Sequence, residues 1–85
     1  MRAKHKIKNN DQNNLISVRN IMNKYSVSYQ TVNHYTDFGL LAVAAKKGNA
    51  RFYSKVLVDA RMKKIKKLRE EGYSLRLIRK KLIGI

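Results

Sequence analysis

Residues 27–53 read VSYQTVNHYTDFGLLAVAAKKGNARFY, and the fold of the chain turns on this stretch. Ser28 is placed to cap a helix, because its hydroxyl can accept a first-turn amide that has no partner inside the helix. Thr31, Val32 and Tyr35 then share one side, which is expected to face inward. Tyr29, Gln30 and Asn33 fall on the exposed side. Gly39 is the expected stop, since a helix commonly ends on a residue at positive φ. Residues 41–53 read as a small β-hairpin. Leu41 to Ala45 leads in, Lys47-Gly48-Asn49 turns, and Ala50 to Tyr53 returns. A polar helix beside a basic hairpin suits a DNA groove: the helix fits the major groove and the hairpin reaches phosphates or the neighbouring groove.

Upstream, Ser17 is placed to cap a helix whose apolar residues are Val18, Ile21, Met22 and Tyr25, at i, i+3, i+4, i+7 spacing. Ser26 and Val27 make a short turn into the next helix. Two short helices joined by a tight turn are a helix-turn-helix signal. Downstream, Ser54 opens the longest helix, up to about Glu71, with Val58, Met62, Ile65 and Leu68 as its apolar stripe. Gly72 stops it, and Ser74 caps a last helix carrying Leu75, Ile78 and Leu82. The expected architecture is mainly α with a small β-hairpin wing: a winged helix-turn-helix of four helices over residues 15–85. Residues 1–14 are polar, basic and aperiodic, and read as a flexible basic N-terminal arm, either solvated or touching DNA.

The chain of 85 residues holds one small domain. Twenty Lys and Arg against five Asp and Glu give a net charge of +15, spread from Arg2 to Lys81, which favours a polyanionic partner. No Cys is present, so disulfides and thiolate metal sites are excluded. His5 and His34 are too far apart in sequence to suggest a chelate, and no cofactor or metal is expected. No apolar run approaches the ~20 residues of a membrane span, and the N-terminus lacks a signal-peptide segment. A cytoplasmic, nucleoid-associated protein is expected. With no nucleophile, base or metal constellation, an enzyme is not expected.

Four local patterns carry a family resemblance. Val27-Ser28, Thr31-Val32 and Tyr35 resemble a "VSxxTLRYYE" recognition helix. Phe38-Gly39-Leu40-Leu41 resembles an "xGLL" exit, and Arg51-Phe52-Tyr53-Ser54 a "YRLYS" wing end. Glu71-Gly72-Tyr73-Ser74-Leu75 with Ile78 resembles an "LGFSLEEI" junction. In this order, from about Ser17 to Leu82, they are similar to the DNA-binding domain of the MerR family of bacterial regulators. The departures are Asn33-His34 where the family has Arg-Tyr, Thr36 where it has an acidic residue, and Ser26 in place of the usual turn glycine. Members continue into a long dimerising helix and an effector domain, whereas this chain ends at Ile85 and lacks the effector-binding cysteines. The chain resembles the short, single-domain relatives that act as plain DNA binders, and no small-molecule effector is evident.

The candidate DNA-binding residues are Ser28, Tyr29, Gln30, Thr31, Asn33, His34, Tyr35, Lys46, Lys47, Asn49, Arg51 and Tyr53. Gln30 and Asn33 have the amide to pair with adenine, and Tyr29 reaches phosphate or a thymine methyl. His34 is either a phosphate donor or an ordinary surface residue. The resemblance gives Tyr35 a phosphate contact, with core packing as the alternative. Arg51 matches the family's wing arginine, and a guanidinium there suits phosphate or a narrow minor groove. Lys46, Lys47 and Asn49 sit near the tip. Tyr53 is expected to bond phosphate and Phe52 to enter the core. The basic run from Arg61 to Arg69 and the cluster Arg76, Arg79, Lys80, Lys81 read as solvated faces, of which a subset meets DNA.

The expected function is sequence-specific binding of double-stranded DNA as a small transcription regulator. The alternative is an accessory factor of a plasmid, phage or transposon, of excisionase or relaxosome type. A basic amphipathic protein bound to a membrane surface or a partner is remote, because the apolar stripes are needed for the core. RNA is not excluded by charge. One module buries only ~600–1,000 Å² on DNA, so several copies on adjacent sites, with contacts between them, are expected.

Overall fold

The computed structural model describes residues 14–84. Its elements run β1 (Leu15–Ser17), α1 (Val18–Tyr25), α2 (Tyr29–Asp37), β2 (Val43–Lys47), β3 (Ala50–Ser54), α3 (Lys55–Glu70) and α4 (Leu75–Ile83). The fold is mainly helical with a small antiparallel sheet, a winged helix-turn-helix.

Serine hydroxyls set all four helix starts. Ser17, Ser28, Ser54 and Ser74 have extended backbones and accept from the amides of Asn20, Thr31, Leu57 and Leu77. Each thereby satisfies a first-turn donor that the helix cannot. The turn between α1 and α2 passes through Ser26, which takes φ 54 and ψ 48, the left-handed conformation natural to glycine. The amides of Ser26 and Val27 both bond the Met22 carbonyl there. Helix α2 ends at Gly39, φ 83, and a Cβ at Gly39 would lie 3.3 Å from Ile83 Cδ1. The end of α4 therefore closes over the exit of α2.

The sheet order is β1-β3-β2, so β3 is central. Strand β1 is an addition to the two-stranded hairpin expected from sequence. Three residues have no usable period, and their partners lie far along the chain. Ile16 pairs with Tyr53 and Leu15 with Ser54, and the Lys55 amide donates to the Asn14 carbonyl. Strand β2 starts at Val43 instead of Leu41, because Leu40 and Leu41 are buried and their amides bond the Tyr35 carbonyl. A bulge at Ala44 offsets β2, so that Val43 faces Tyr53 while Ala45 faces Phe52. Lys47 belongs to the strand, and the turn is Gly48-Asn49 with Gly48 at φ 62.

The core comprises Ile16, Ile21, Val32, Leu40, Leu41, Tyr53, Val58, Met62, Ile65 and Ile78. Ile21, Val32, Tyr53 and Ile78 are wholly buried, and each aliphatic among them contributes about 1.5–3 kcal/mol by leaving water. Every element except β2 supplies a core residue, and β2 is held chiefly by its ladder with β3.

Candidate nucleic-acid interface

Along β3 alternate side chains point to opposite faces. Ile16 and Tyr53 are paired and both buried, which fixes the parity of the sheet. Arg51 shares the Tyr53 face, and its cross-strand neighbour is Lys46. Phe52 lies on the other face, opposite Ala45 and flanked by Leu15 and Lys47. The two aromatic assignments made from sequence are thus reversed. Tyr53 is wholly buried and removed from any phosphate, and Phe52 is half-buried outside the core cluster.

The Tyr53 hydroxyl explains Thr36. The Thr36 hydroxyl donates to the Val32 carbonyl at 2.7 Å, which uses its only proton. The 2.8 Å contact between Thr36 Oγ1 and Tyr53 Oη must then carry the Tyr53 proton. A buried phenol is satisfied in this way by a short polar residue at the position where an acidic side chain is usual for the motif.

Helix α2 presents its polar residues in two stripes. Tyr29 and Asn33, one turn apart, face the wing. Arg51 Nη2 donates to Asn33 Oδ1, and the guanidinium lies 5.9 Å from the ring centroids of both Tyr29 and Tyr53. Gln30 and His34 form the second stripe, also one turn apart and both exposed. The His34 ring stacks on Phe38 at 5.2 Å and 26°. Arg79 of α4 lies 4.9 Å over the same Phe38 ring. Helix α2 is therefore braced from the wing by Arg51 and from α4 by Arg79. The bracing by Arg79 was not legible from sequence, where it read only as one of a basic cluster; no local signal links it to Phe38.

The remaining candidates divide by position. Ser28 and Thr31 are engaged in the cap, where the Ser28 hydroxyl accepts the Thr31 amide and donates to the Thr31 hydroxyl, both at 3.0 Å. Tyr35 is half-buried against the core. Lys46, Lys47 and Asn49 are exposed around the wing tip. The structure brings together Tyr29, Asn33 and Arg51, leaves Gln30 exposed beside them with His34 stacked on Phe38, and places Lys46 and Lys47 at successive positions of β2.

A second polar cluster lies where α1 meets α3. The Tyr25 hydroxyl donates to Asp59 Oδ1 at 2.8 Å, and Lys63 pairs with Asp59 Oδ2 at 3.1 Å. Burial, then the hydrogen bond to Asp59 and its negative charge, pushes the Tyr25 phenol up to about 12. The hydrogen bond from Tyr25, then that from Lys63, holds Asp59 below the usual carboxylate range. Asp59–Lys63 is the one ion pair among the described residues.

Residues 16–84 match the family model described as MerR HTH family regulatory protein. The chain belongs to the MerR helix-turn-helix family. A search of curated proteins and a search of solved structures each returned no match. Membership makes this a DNA-binding protein of the MerR regulatory kind. Among the described residues no group of three or more His, Cys, Asp or Glu is placed to hold a metal, and no helix is long and apolar enough to cross a membrane.

Proposed function

We propose that this MerR-family protein binds specific double-stranded DNA with α2 in the major groove and the β2–β3 wing on the backbone or the adjoining minor groove, as a small transcription regulator. The observation that carries the reading is the junction of Asn33, Tyr29 and Arg51, which joins wing and helix into one surface. Gln30 beside it is an exposed amide suited to adenine N6 and N7. Lys46, on the Arg51 face of the wing, lies where a phosphate would approach that surface.

Lysine and arginine displace condensed counterions, so binding weakens steeply with salt. Base edges read by Gln30 and the junction then set sequence preference. A single module of this size gives a small interface, and the reading includes more than one copy per site. Val56 and Leu57 of α3, 66 and 65 % exposed, are apolar surface available for contact between neighbouring copies.

The test is a salt titration of binding to fragments of the protein's own locus and to a random duplex. One fragment is expected to be preferred, with the preference lost in Gln30→Ala. Lys46→Ala is expected to reduce the salt slope by about one, and Lys47→Ala, on the opposite face of the sheet, by less. Equal binding to every duplex, unchanged by these substitutions, would sink the reading.

A further inference from the structure

Helix α2 has two flanks, and the wing occupies one of them. At ~100° per residue, Asn33 and Phe38 lie ~140° apart around the helix. Gln30 and His34 are exposed on the arc between them, and the buried Val32 is on the arc behind. Arg51 holds the Asn33 flank. The Phe38 flank has a cation of its own, supplied by α4: the Arg79 guanidinium lies 4.9 Å from the Phe38 ring centroid. The ring is held in turn by His34, stacked on it at 5.2 Å, and by packing against the core.

The surroundings of Arg79 lack an acceptor. Its Nε is buried with no hydrogen-bond partner, and no acidic residue pairs with it among the described residues. An N–H withdrawn from water without a partner carries a desolvation cost. The aromatic face attracts the cation but leaves the guanidinium donors unspent. Phosphate oxygens accept from such a fork two at a time. Arg76 and Lys80, its neighbours on α4, are exposed, whereas Arg79 is half-buried and fixed against α2.

We infer that Arg79 is a DNA-phosphate contact on the flank of α2 away from the wing, held in place by the Phe38 ring. A helix lying in the major groove has the backbone of one strand on each side of it. The wing, with Lys46, faces one backbone and Arg79 the other, with Gln30 and His34 between them. Asp37 is also exposed on this arc and opposes the approach of a phosphate, which Arg79 offsets. The inference rests on the proposed placement of α2 in the major groove.

The test is a salt titration on the preferred fragment and on a random duplex, with thermal melting to confirm folding. Arg79→Met keeps an apolar stem on the ring and removes the charge, and is expected to lower the salt slope by about one. Arg79→Gln, which keeps a polar head over the ring, is the second neutral variant should the first melt early. Duplexes of the preferred fragment carrying one uncharged methylphosphonate at a time then locate the contact. One position is expected to weaken the wild type severalfold yet leave Arg79→Met unchanged. It is expected on the strand opposite the phosphate coupled in the same way to Lys46→Ala. Phe38→Leu keeps the charge but frees it, and is expected to lose the coupling to that position.

An unchanged slope in the neutral variants overturns the inference and leaves Arg79 a brace of α2. So does a fall in slope with no position of the preferred fragment coupled to Arg79, which would mean that net charge alone is read. A wild type that prefers no fragment, yet loses about one from its slope on the random duplex in Arg79→Met, keeps the phosphate contact and sinks the sequence-specific reading. A preference kept with the slope unchanged does the reverse.

Discussion

Two polar clusters bridge elements of this small domain, and they differ in which of their groups are left without a charged partner. Where α1 meets α3, Tyr25, Asp59 and Lys63 answer one another: phenol to carboxylate, carboxylate to ammonium. Where α2 meets the wing, Arg51 engages Asn33 and two tyrosine rings, and among the described residues it has no acidic partner. The first cluster is closed by its own charges. The second is held in place but chemically open, the arrangement suited to a ligand that brings acceptors. Shape alone would not distinguish them, since both are part-buried polar groups bridging two elements.

The largest expected effect separates the clusters by readout. Arg51→Ala should weaken binding to the preferred DNA by about 1–3 kcal/mol while barely moving the melting temperature. A variant that melts much earlier with little loss of DNA affinity per folded molecule would erase the distinction. Next in size, Thr36→Val removes the acceptor of the buried Tyr53 phenol. It should cost about 1–2 kcal/mol of stability, the desolvation left unpaid by a lost hydrogen bond, as measured by urea unfolding. DNA affinity should fall only as far as the folded fraction falls.

Tyr25→Phe probes the closed cluster and should cost less stability than Thr36→Val, with DNA binding unchanged. Its pH dependence carries a defined sign. The Tyr25 pKa is raised in the fold to about 12, so its stabilisation is complete below 10 and lost as pH rises toward 12. The Asp59 pKa is lowered, so its stabilisation is complete above the ordinary carboxylate range and lost as pH falls through the lowered value. Denaturation curves of the wild type and Tyr25→Phe should therefore converge at both extremes of pH. The smallest effect belongs to neither cluster. Ser26→Gly relieves a left-handed residue and should stabilise by about 0.5–1 kcal/mol without changing DNA affinity. A loss of stability there would mean that the Ser26 side chain contributes a contact worth more than the strain.

The helices were legible because their signals are local. Each serine cap and each apolar stripe lies within one stretch of chain, and Ser17, Ser28, Ser54 and Ser74 begin helices as their spacing predicts. What was not legible depends on partners distant in sequence. Strand β1 exists only because Ile16 meets Tyr53. The reversal of Phe52 and Tyr53 follows from that pairing, since alternation alone gives two equivalent choices of face. The junction between Asn33 and Arg51 joins a helix to a strand across two turns, so sequence could nominate both residues but not their contact. The opposite facing of Lys46 and Lys47 needed the knowledge that β2 runs on to Lys47 instead of turning there.

The central place of β3 has a mechanical side. Its residues bond β2 on one edge and β1 on the other, and β1 ends in Ser17, the residue that caps α1. A pull on the wing tip would run down β3 and cross the ladder to β1, loading the start of the first helix. The amides of Phe52 and Tyr53 should then be among the slowest to exchange with deuterium, and those at Gly48 and Asn49 among the fastest. The wing is anchored like a lever with its fulcrum inside the domain: compliant at its end, stiff at its root.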